Sequence, residues 1–258
     1  MSGQGGAVLY EVRIPMRASS QVTFTSGSEQ WGLISTEFRV PSPSPDGTRE
    51  IVTVPGFMTE DANAVADVVA YTWQNGRLLP QCTGSMPTRG CLVLLVESPH
   101  KSEYDRSHRP RQPLNNKRTR QRIEDYLPDV ILQAQRDLGR NFDGCDVVLS
   151  NPVRFQASLH RLMDKRELRK QPKGSRGLQR DVRDETWLAL FDTPEIRDDF
   201  KSRIASYEPA LILLAPTRGV EPPLLDFVRR QGWRYVRLDS HPSAWMPARP
   251  PRVLGYGP

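Results

Sequence analysis

Four short apolar runs, each ending in a polar loop, constrain the fold of this chain more than any other feature. Residues 91–97 read CLVLLVE, and comparable runs occupy residues 145–152, 209–216 and 235–238. Continuous apolar character is typical of strands buried on both faces of a parallel sheet. Between them lie amphipathic segments with helical spacing, at residues 113–139, 194–207 and 223–231. The alternation predicts an α/β fold, a three-layer sandwich around a central, mostly parallel four-stranded sheet.

The first 80 residues have a different pattern. Their β-branched and aromatic runs favour strands, and these runs are VLYEVRI, QVTFT, LISTEFRV and REIVTV. A helix is predicted from Thr59, a candidate cap followed by two acidic residues, to Trp73, with Asn75 and Gly76 ending it. We therefore expect a β-rich N-terminal extension with one helix, residues 1–80, followed by an α/β catalytic domain, residues 81–258.

The composition narrows the cellular setting. The three cysteines are widely spaced and form no Cys-x-x-Cys pair, which predicts a reducing, cytoplasmic compartment and no disulfide framework. Three thiols alone cannot complete a four-cysteine metal site, so we expect no metal and no cofactor. No apolar run approaches the ~18 residues of a membrane helix, and the start of the chain lacks a signal peptide. We expect a monomer that has no membrane partner.

Two basic clusters lie within residues 101–122 and 161–183 and hold 17 of the 36 Lys and Arg residues, and the net charge of the chain is +6. Arginine and lysine donate to phosphate oxygens and release counterions on binding, so the clusters favour a DNA partner. Solvated, partly flexible loops are the alternative explanation. The candidate DNA-binding residues are Lys101, Arg106, Lys117, Arg118, Arg154 and Arg218.

Polar residues gather where the four predicted strands end. The strand-end sequences are Glu97-Ser-Pro-His, Ser150-Asn-Pro, Ala215-Pro-Thr-Arg and Ser240-His-Pro-Ser. In open α/β sheets, ligands bind in the crevice outside the carboxyl ends of the strands. The sequence therefore predicts a functional site at this edge of the sheet, beginning at Glu97.

These strand ends, in this order, resemble the uracil-DNA glycosylase superfamily over residues 90–245. The family opens on a strand that runs into a short motif ending in proline, and Val96-Glu97-Ser98-Pro99-His100 is similar to its Gly-Glu-Ala-Pro-Gly form. A middle strand ends in a base-binding asparagine, which Asn151 matches in VVLSNPVR. The family closes on His-Pro-Ser, which is matched by residues 241–243.

The resemblance implies hydrolysis of the bond between a base and its sugar. Glu97 is the candidate carboxylate that orients water and stabilises the sugar cation, and His241 the donor to the departing base. A strand-end glutamate that pairs with a nearby arginine is the alternative for Glu97, and a structural histidine is the alternative for His241. Ser98 helps to place the water. Asn151 reads the edge of a flipped base, and His100 lines the base pocket.

The remaining assignments concern the loops around these residues. Pro99 stiffens the first loop, and Ser243 donates to a phosphate. Phe155 or Tyr104 is a candidate for stacking on a base, and each is equally a candidate for the core. Ser98 stands where efficient uracil enzymes have an aspartate base, and His100 stands where the family has tyrosine or glycine. We therefore expect a modified pyrimidine as the substrate, in DNA repair or in defence against foreign DNA.

Other functions stay open at this point. Val-Glu-Ser-Pro-His-Lys, from Val96, also resembles the start of the Toprim domain of topoisomerases and primases, whose magnesium ion needs a later Asp-x-Asp. No Asp-x-Asp follows Glu97. A non-catalytic nucleic-acid-binding module and a small-molecule hydrolase are the remaining alternatives.

Overall fold

The computed structural model describes the chain with internal gaps. The fully described residues are 64–81, 87, 89–100, 102–105, 110–111, 116–155, 157, 183–184, 187–188, 190–192, 194 and 196–258. The backbone alone is described for Lys101, Glu195 and four strands that precede residue 59. These four strands are β1 (Leu9–Tyr10), β2 (Val22–Thr25), β3 (Leu33–Val40) and β4 (Glu50–Met58). They pair in sequence order, each antiparallel to the next.

Seven later strands form one mixed sheet. They are β5 (Val68–Gln74), β6 (Arg77–Pro80), β7 (Leu92–Leu95), β8 (Asp146–Ser150), β9 (Leu211–Leu214), β10 (Tyr235–Leu238) and β11 (Val253–Gly257). Their order across the sheet is β11-β10-β9-β7-β8-β5-β6. The α/β character predicted from the sequence is confirmed.

The four apolar runs form the parallel middle of this sheet. β7 pairs in parallel with β8 and with β9, and β9 pairs in parallel with β10. Every residue of β7 and of β9 is buried, as expected where both faces of a sheet are covered. The predicted count of four strands is wrong, because β5 and β6 extend one edge and β11 the other, all through antiparallel pairing.

The helix predicted from Thr59 to Trp73 is a second correction. Residues 59–63 lie outside the described part, and Val68–Gln74 is strand β5, in which Val69, Tyr71 and Trp73 are buried alternately. Asn75 and Gly76 have φ angles of 50° and 75°, the left-handed pair that closes a two-residue hairpin. They therefore turn the chain from β5 into β6, and both strands join the main sheet ahead of the boundary expected at residue 80.

Different helices cover the two faces of the sheet. The described helices of at least ten residues are α1 (Lys117–Leu138), α2 (Pro194–Tyr207) and α3 (Glu221–Arg230). Side chains alternate between the two faces along each strand. Those on one face pack against the buried side of α1, and those on the other face pack against the buried sides of α2 and α3. Asn116 caps α1 by accepting a hydrogen bond from the Thr119 backbone N–H at 3.4 Å. None of the described helices has both the length and the apolar character needed to span a bilayer.

Candidate active site

A cavity of about 380 Å³ opens beside the carboxyl ends of the parallel strands. Seven candidate residues from the strand-end loops line it, although they are scattered over almost 150 positions of the sequence. They are Glu97, Ser98, Pro99, His100, Asn151, His241 and Ser243. Asn116, Thr119 and Ile123 add the start of α1 to the wall. The topology therefore brings the predicted catalytic and substrate-binding side chains to one place.

The Glu97 carboxyl group is buried and held by two partners. Glu97 is 6% exposed, and its Oε2 accepts a hydrogen bond from the Thr217 hydroxyl at 2.5 Å. Arg183 Nε lies 3.5 Å from the other oxygen, Oε1. Arg183 also donates to the Thr217 hydroxyl oxygen at 3.0 Å. The hydroxyl proton is thereby directed at Glu97, since its oxygen already accepts from the guanidinium group.

Burial raises the pKa of the Glu97 carboxyl above its ordinary value, because the charged form loses its hydration. The Arg183 charge and the Thr217 hydrogen bonds oppose this rise. The nearby Asp184 carboxylate adds to it and also accepts from Arg183 Nε at 2.8 Å. Asp184 lies against Gly219, where a Cβ atom would meet its carboxylate at 1.7 Å. Only glycine at 219 leaves room for this arrangement.

The His241 ring is oriented by the turn that follows it. Its Nδ1 accepts a hydrogen bond from the Ser243 backbone N–H at 3.1 Å, and the Ser243 hydroxyl lies 2.9 Å from the same atom. A backbone N–H only donates, so a neutral His241 carries its proton on Nε2. Burial among protein atoms, followed by the charges of Arg183 and His100, lowers the pKa of His241 to about 4. The ring is therefore neutral at neutral pH.

Asn151 presents an acceptor that has no partner. The residue is 5% exposed, and its Oδ1 has no hydrogen-bond partner among the residues that the structure describes. A buried polar atom without a partner costs about 1–3 kcal/mol, so this oxygen in the cavity wall offers an acceptor position to a group that enters the cavity. The backbone oxygen of Asn151, in contrast, accepts from Arg203 at 3.1 Å.

Arg203 fixes the end of β8 from beneath the cavity. Its guanidinium group also donates to Ser150 Oγ at 3.3 Å and to Asp199 at 2.8 Å, and forms an ion pair with Asp67. Burial alone would lower the pKa of Arg203, but the two carboxylates outweigh it and raise the pKa. A charged Arg203 therefore anchors the strand end that carries Asn151.

Arg183 and Thr217 are the important residues that sequence reasoning did not assign to the site. Thr217 lies in Ala215-Pro-Thr-Arg. The sequence pattern predicts this segment as a strand end, but it predicts no role for the Thr217 hydroxyl. Arg183 closes the second basic cluster, which predicted a phosphate contact. In the structure it lines the cavity beside Glu97 and Asp184 instead. The strand-end position was the available signal for Thr217, and no sequence signal distinguished Arg183 from its basic neighbours.

The candidate DNA-binding residues differ in their exposure and in their partners within the fold. Lys117 and Arg118 are at the start of α1, where both are exposed, and Arg218 is exposed after β9. Arg154 is engaged within the fold, since it pairs with Asp199 at 3.3 Å and donates to the Val65 carbonyl at 3.2 Å. The Lys101 side chain and Arg106 lie outside the described part.

The two candidate stacking residues are buried rather than presented to a base. Tyr104 donates its hydroxyl to the Arg154 carbonyl at 3.4 Å. Phe155 belongs to the core on the side of the sheet covered by α2 and α3. Both side chains therefore pack within the fold, and the stacking prediction is wrong for them.

No family model, curated protein or solved structure matches this chain. Within the described residues, no group of three or more His, Cys, Asp and Glu side chains is arranged to hold a metal ion.

Proposed function

We propose that this chain is a monofunctional DNA glycosylase that hydrolyses the N-glycosidic bond of a flipped, modified pyrimidine and leaves an abasic site. One observation carries the proposal: the same cavity is lined by a buried carboxylate, an amide oxygen without a partner among the described residues, and an imidazole ring that carries its proton on Nε2 when it is neutral. They belong to Glu97, Asn151 and His241. The proposal includes a three-layer fold, a monomeric state and DNA as the partner.

The three groups match the charge changes of glycoside hydrolysis. When the bond between C1′ and the base nitrogen breaks, its electron pair leaves with the base and C1′ becomes cationic. The Glu97 carboxylate stabilises this cation and accepts the proton of the water whose oxygen attacks C1′. His241 Nε2–H donates to the base as negative charge develops on it. Asn151 Oδ1 accepts an N–H of the base edge and holds the base outside the stack.

The same features argue against a module that only binds DNA. Phosphate binding requires accessible cations, and it gives no role to a 6%-exposed carboxyl group with a raised pKa. Titratable groups whose pKa is perturbed in a cleft are typical of catalytic sites. Lys117 and Arg118, at the start of α1 beside the cavity, are suited to the DNA backbone.

Base release is the direct test. The purified full-length chain is incubated, with magnesium and with a chelator, with genomic DNAs that carry different pyrimidine modifications. We expect a free base by mass spectrometry and alkali-labile abasic sites, both independent of magnesium. Strand scission that requires magnesium and leaves no abasic intermediate would instead support the Toprim-type enzyme.

The Glu97→Gln variant separates catalysis from binding. It keeps the side-chain volume and both neighbouring groups but removes the charge, so we expect at least a ~10³-fold slower single-turnover release. The dissociation constant for DNA should change by less than about threefold, since Glu97 contacts no phosphate in this proposal. Full activity in Glu97→Gln would contradict the assigned role.

A further inference from the structure

The cavity contains two histidine turns of the same design. His241 precedes the 3-10 turn Pro242–Ala244, and His100 precedes the 3-10 turn Lys101–Glu103. In each, the residue two positions later is a serine whose backbone N–H donates to the histidine Nδ1, at 3.1 Å from Ser243 and 3.2 Å from Ser102. The two serine hydroxyls lie 2.9 and 2.8 Å from the same ring atoms.

The shared design has a shared chemical consequence. A backbone N–H cannot accept, so each neutral ring holds a lone pair on Nδ1 and its proton on Nε2. The His100 turn is also fixed by two backbone donors. The His100 backbone N–H donates to the Glu103 carboxylate at 3.0 Å, and the Glu103 backbone N–H donates to the His100 carbonyl at 2.8 Å. Both rings line the cavity, and a charge on His100 contributes to the lowered pKa of His241. The two rings are therefore electrostatic neighbours.

We infer that His100 is a second catalytic donor, whose Nε2–H acts with that of His241 on the negative charge of the leaving base. This inference rests on the proposed glycosylase function. Two donors with prearranged orientation stabilise a developing anion without the cost of moving them during the reaction. A cationic pair would be less favourable in the ground state, because two like charges would face each other in one cavity.

The tautomers are tested first, by a measurement that needs no activity. Long-range 1H–15N spectra of the 15N-histidine-labelled protein at pH 7 are assigned by replacing each of the four histidines in turn with glutamine. We expect both His100 and His241 as neutral rings protonated at Nε2. Ser102→Ala should keep the His100 tautomer, because the backbone donor remains. A ring at position 100 that is protonated at Nδ1 or is cationic overturns the inference.

The catalytic contribution is tested by single-turnover base release. His100→Phe keeps a planar ring but removes the donor, and we expect about 10²-fold slower release with an unchanged dissociation constant for DNA. His100→Gln, which retains an N–H donor, should recover part of the rate. The loss should be smaller for substrates whose released base is more acidic, since that base needs less stabilisation. A ring that only caps its turn would not produce this dependence.

A combination of substitutions shows whether the two donors act on one charge. The double variant His100→Phe, His241→Phe should lose less than the product of the two single losses. Wild-type release in His100→Phe overturns the inference and leaves the glycosylase proposal intact. Absence of base release from the wild-type chain on every modified DNA overturns both.

Discussion

The two sides of the cavity differ in how their polar groups are satisfied. On one side, both oxygens of the Glu97 carboxyl group have protein partners, Thr217 and Arg183. On the other side, Asn151 Oδ1 is equally buried and has no partner among the described residues. The first arrangement keeps a charge in place and controls its protonation. The second leaves a hydrogen-bonding position to be completed by whatever enters the cavity.

This difference teaches which stability costs serve function. A buried charge is tolerated only when it is paired and hydrogen-bonded, so the partners of Glu97 are needed by the folded protein itself. An unsatisfied acceptor is a cost to the folded protein, and binding recovers it. A substitution of Asn151 should therefore reduce activity more than stability, whereas a substitution of a Glu97 partner should also reduce stability.

Replacing Asn151 by alanine should reduce activity more than replacing Thr217, the partner of Glu97. The variant removes the only assigned acceptor for the base edge, so we expect about 10²-fold slower single-turnover release, because a hydrogen bond in a desolvated site is removed. The free energy of unfolding should change by less than about 1 kcal/mol, because the deleted oxygen has no partner among the described residues. Release kinetics and urea denaturation measure the two quantities. If Asn151→Ala lost several kcal/mol in the free energy of unfolding but released the base at the wild-type rate, Asn151 would be needed for stability and not for activity.

Thr217→Val tests the partnered side. It leaves Glu97 without its 2.5 Å donor, so we expect a loss of about 1–3 kcal/mol of stability and slower release on the acid side, where more of the carboxyl group is protonated. Removing this donor favours the protonated carboxyl, so the already raised pKa of Glu97 rises further and the acid limb of the pH–rate profile moves to higher pH.

Thr217→Ser is the matched control for this effect. It keeps the hydroxyl group, so its acid limb should coincide with that of the wild type. If Thr217→Val left the acid limb in place, the acid limb would have to be assigned to another group than Glu97.

The sequence carried enough information to predict the four parallel strands and the edge at which the cavity lies. Continuous apolar runs identify buried parallel strands, and their following loops meet at one edge because the strands are parallel. The helix prediction over β5 was wrong because its apolar residues are dense enough to fit helical spacing, and Asn75-Gly76 serves equally as a stop and as a hairpin turn.

The partners of Glu97 depend on information that the sequence does not carry locally. Thr217 contacts Glu97 across 120 positions of the chain, and one threonine hydroxyl carries no pattern of its own. Arg183 belongs to a basic run in which composition alone predicts phosphate binding. Only the fold shows that Arg183 pairs with a buried carboxylate. Similarly, the absence of a described partner for Asn151 Oδ1 is a property of packing.

The smallest effect is expected at the rim, where charge should matter for capture of DNA and not for chemistry. Lys117→Gln with Arg118→Gln removes two cations at the start of α1, beside the cavity. We expect the slope of log binding constant against log salt concentration to decrease in magnitude by about 0.9 for each phosphate that is no longer neutralised. Single-turnover release at saturating DNA should stay near the wild-type rate, in contrast to substitutions on either side of the cavity.

Arg230→Gln is the control, compared per positive charge removed, because its exposed side chain lies at the last residue of α3 and pairs with Asp226. α3 follows β9 and runs back along the sheet, so its end is at the edge away from the cavity. We expect its salt dependence to match the wild type. An equal decrease in slope for Arg230→Gln would mean that DNA is attracted by the net charge of +6 as a whole. An unchanged slope in the double variant would mean that DNA approaches the cavity from another side than α1.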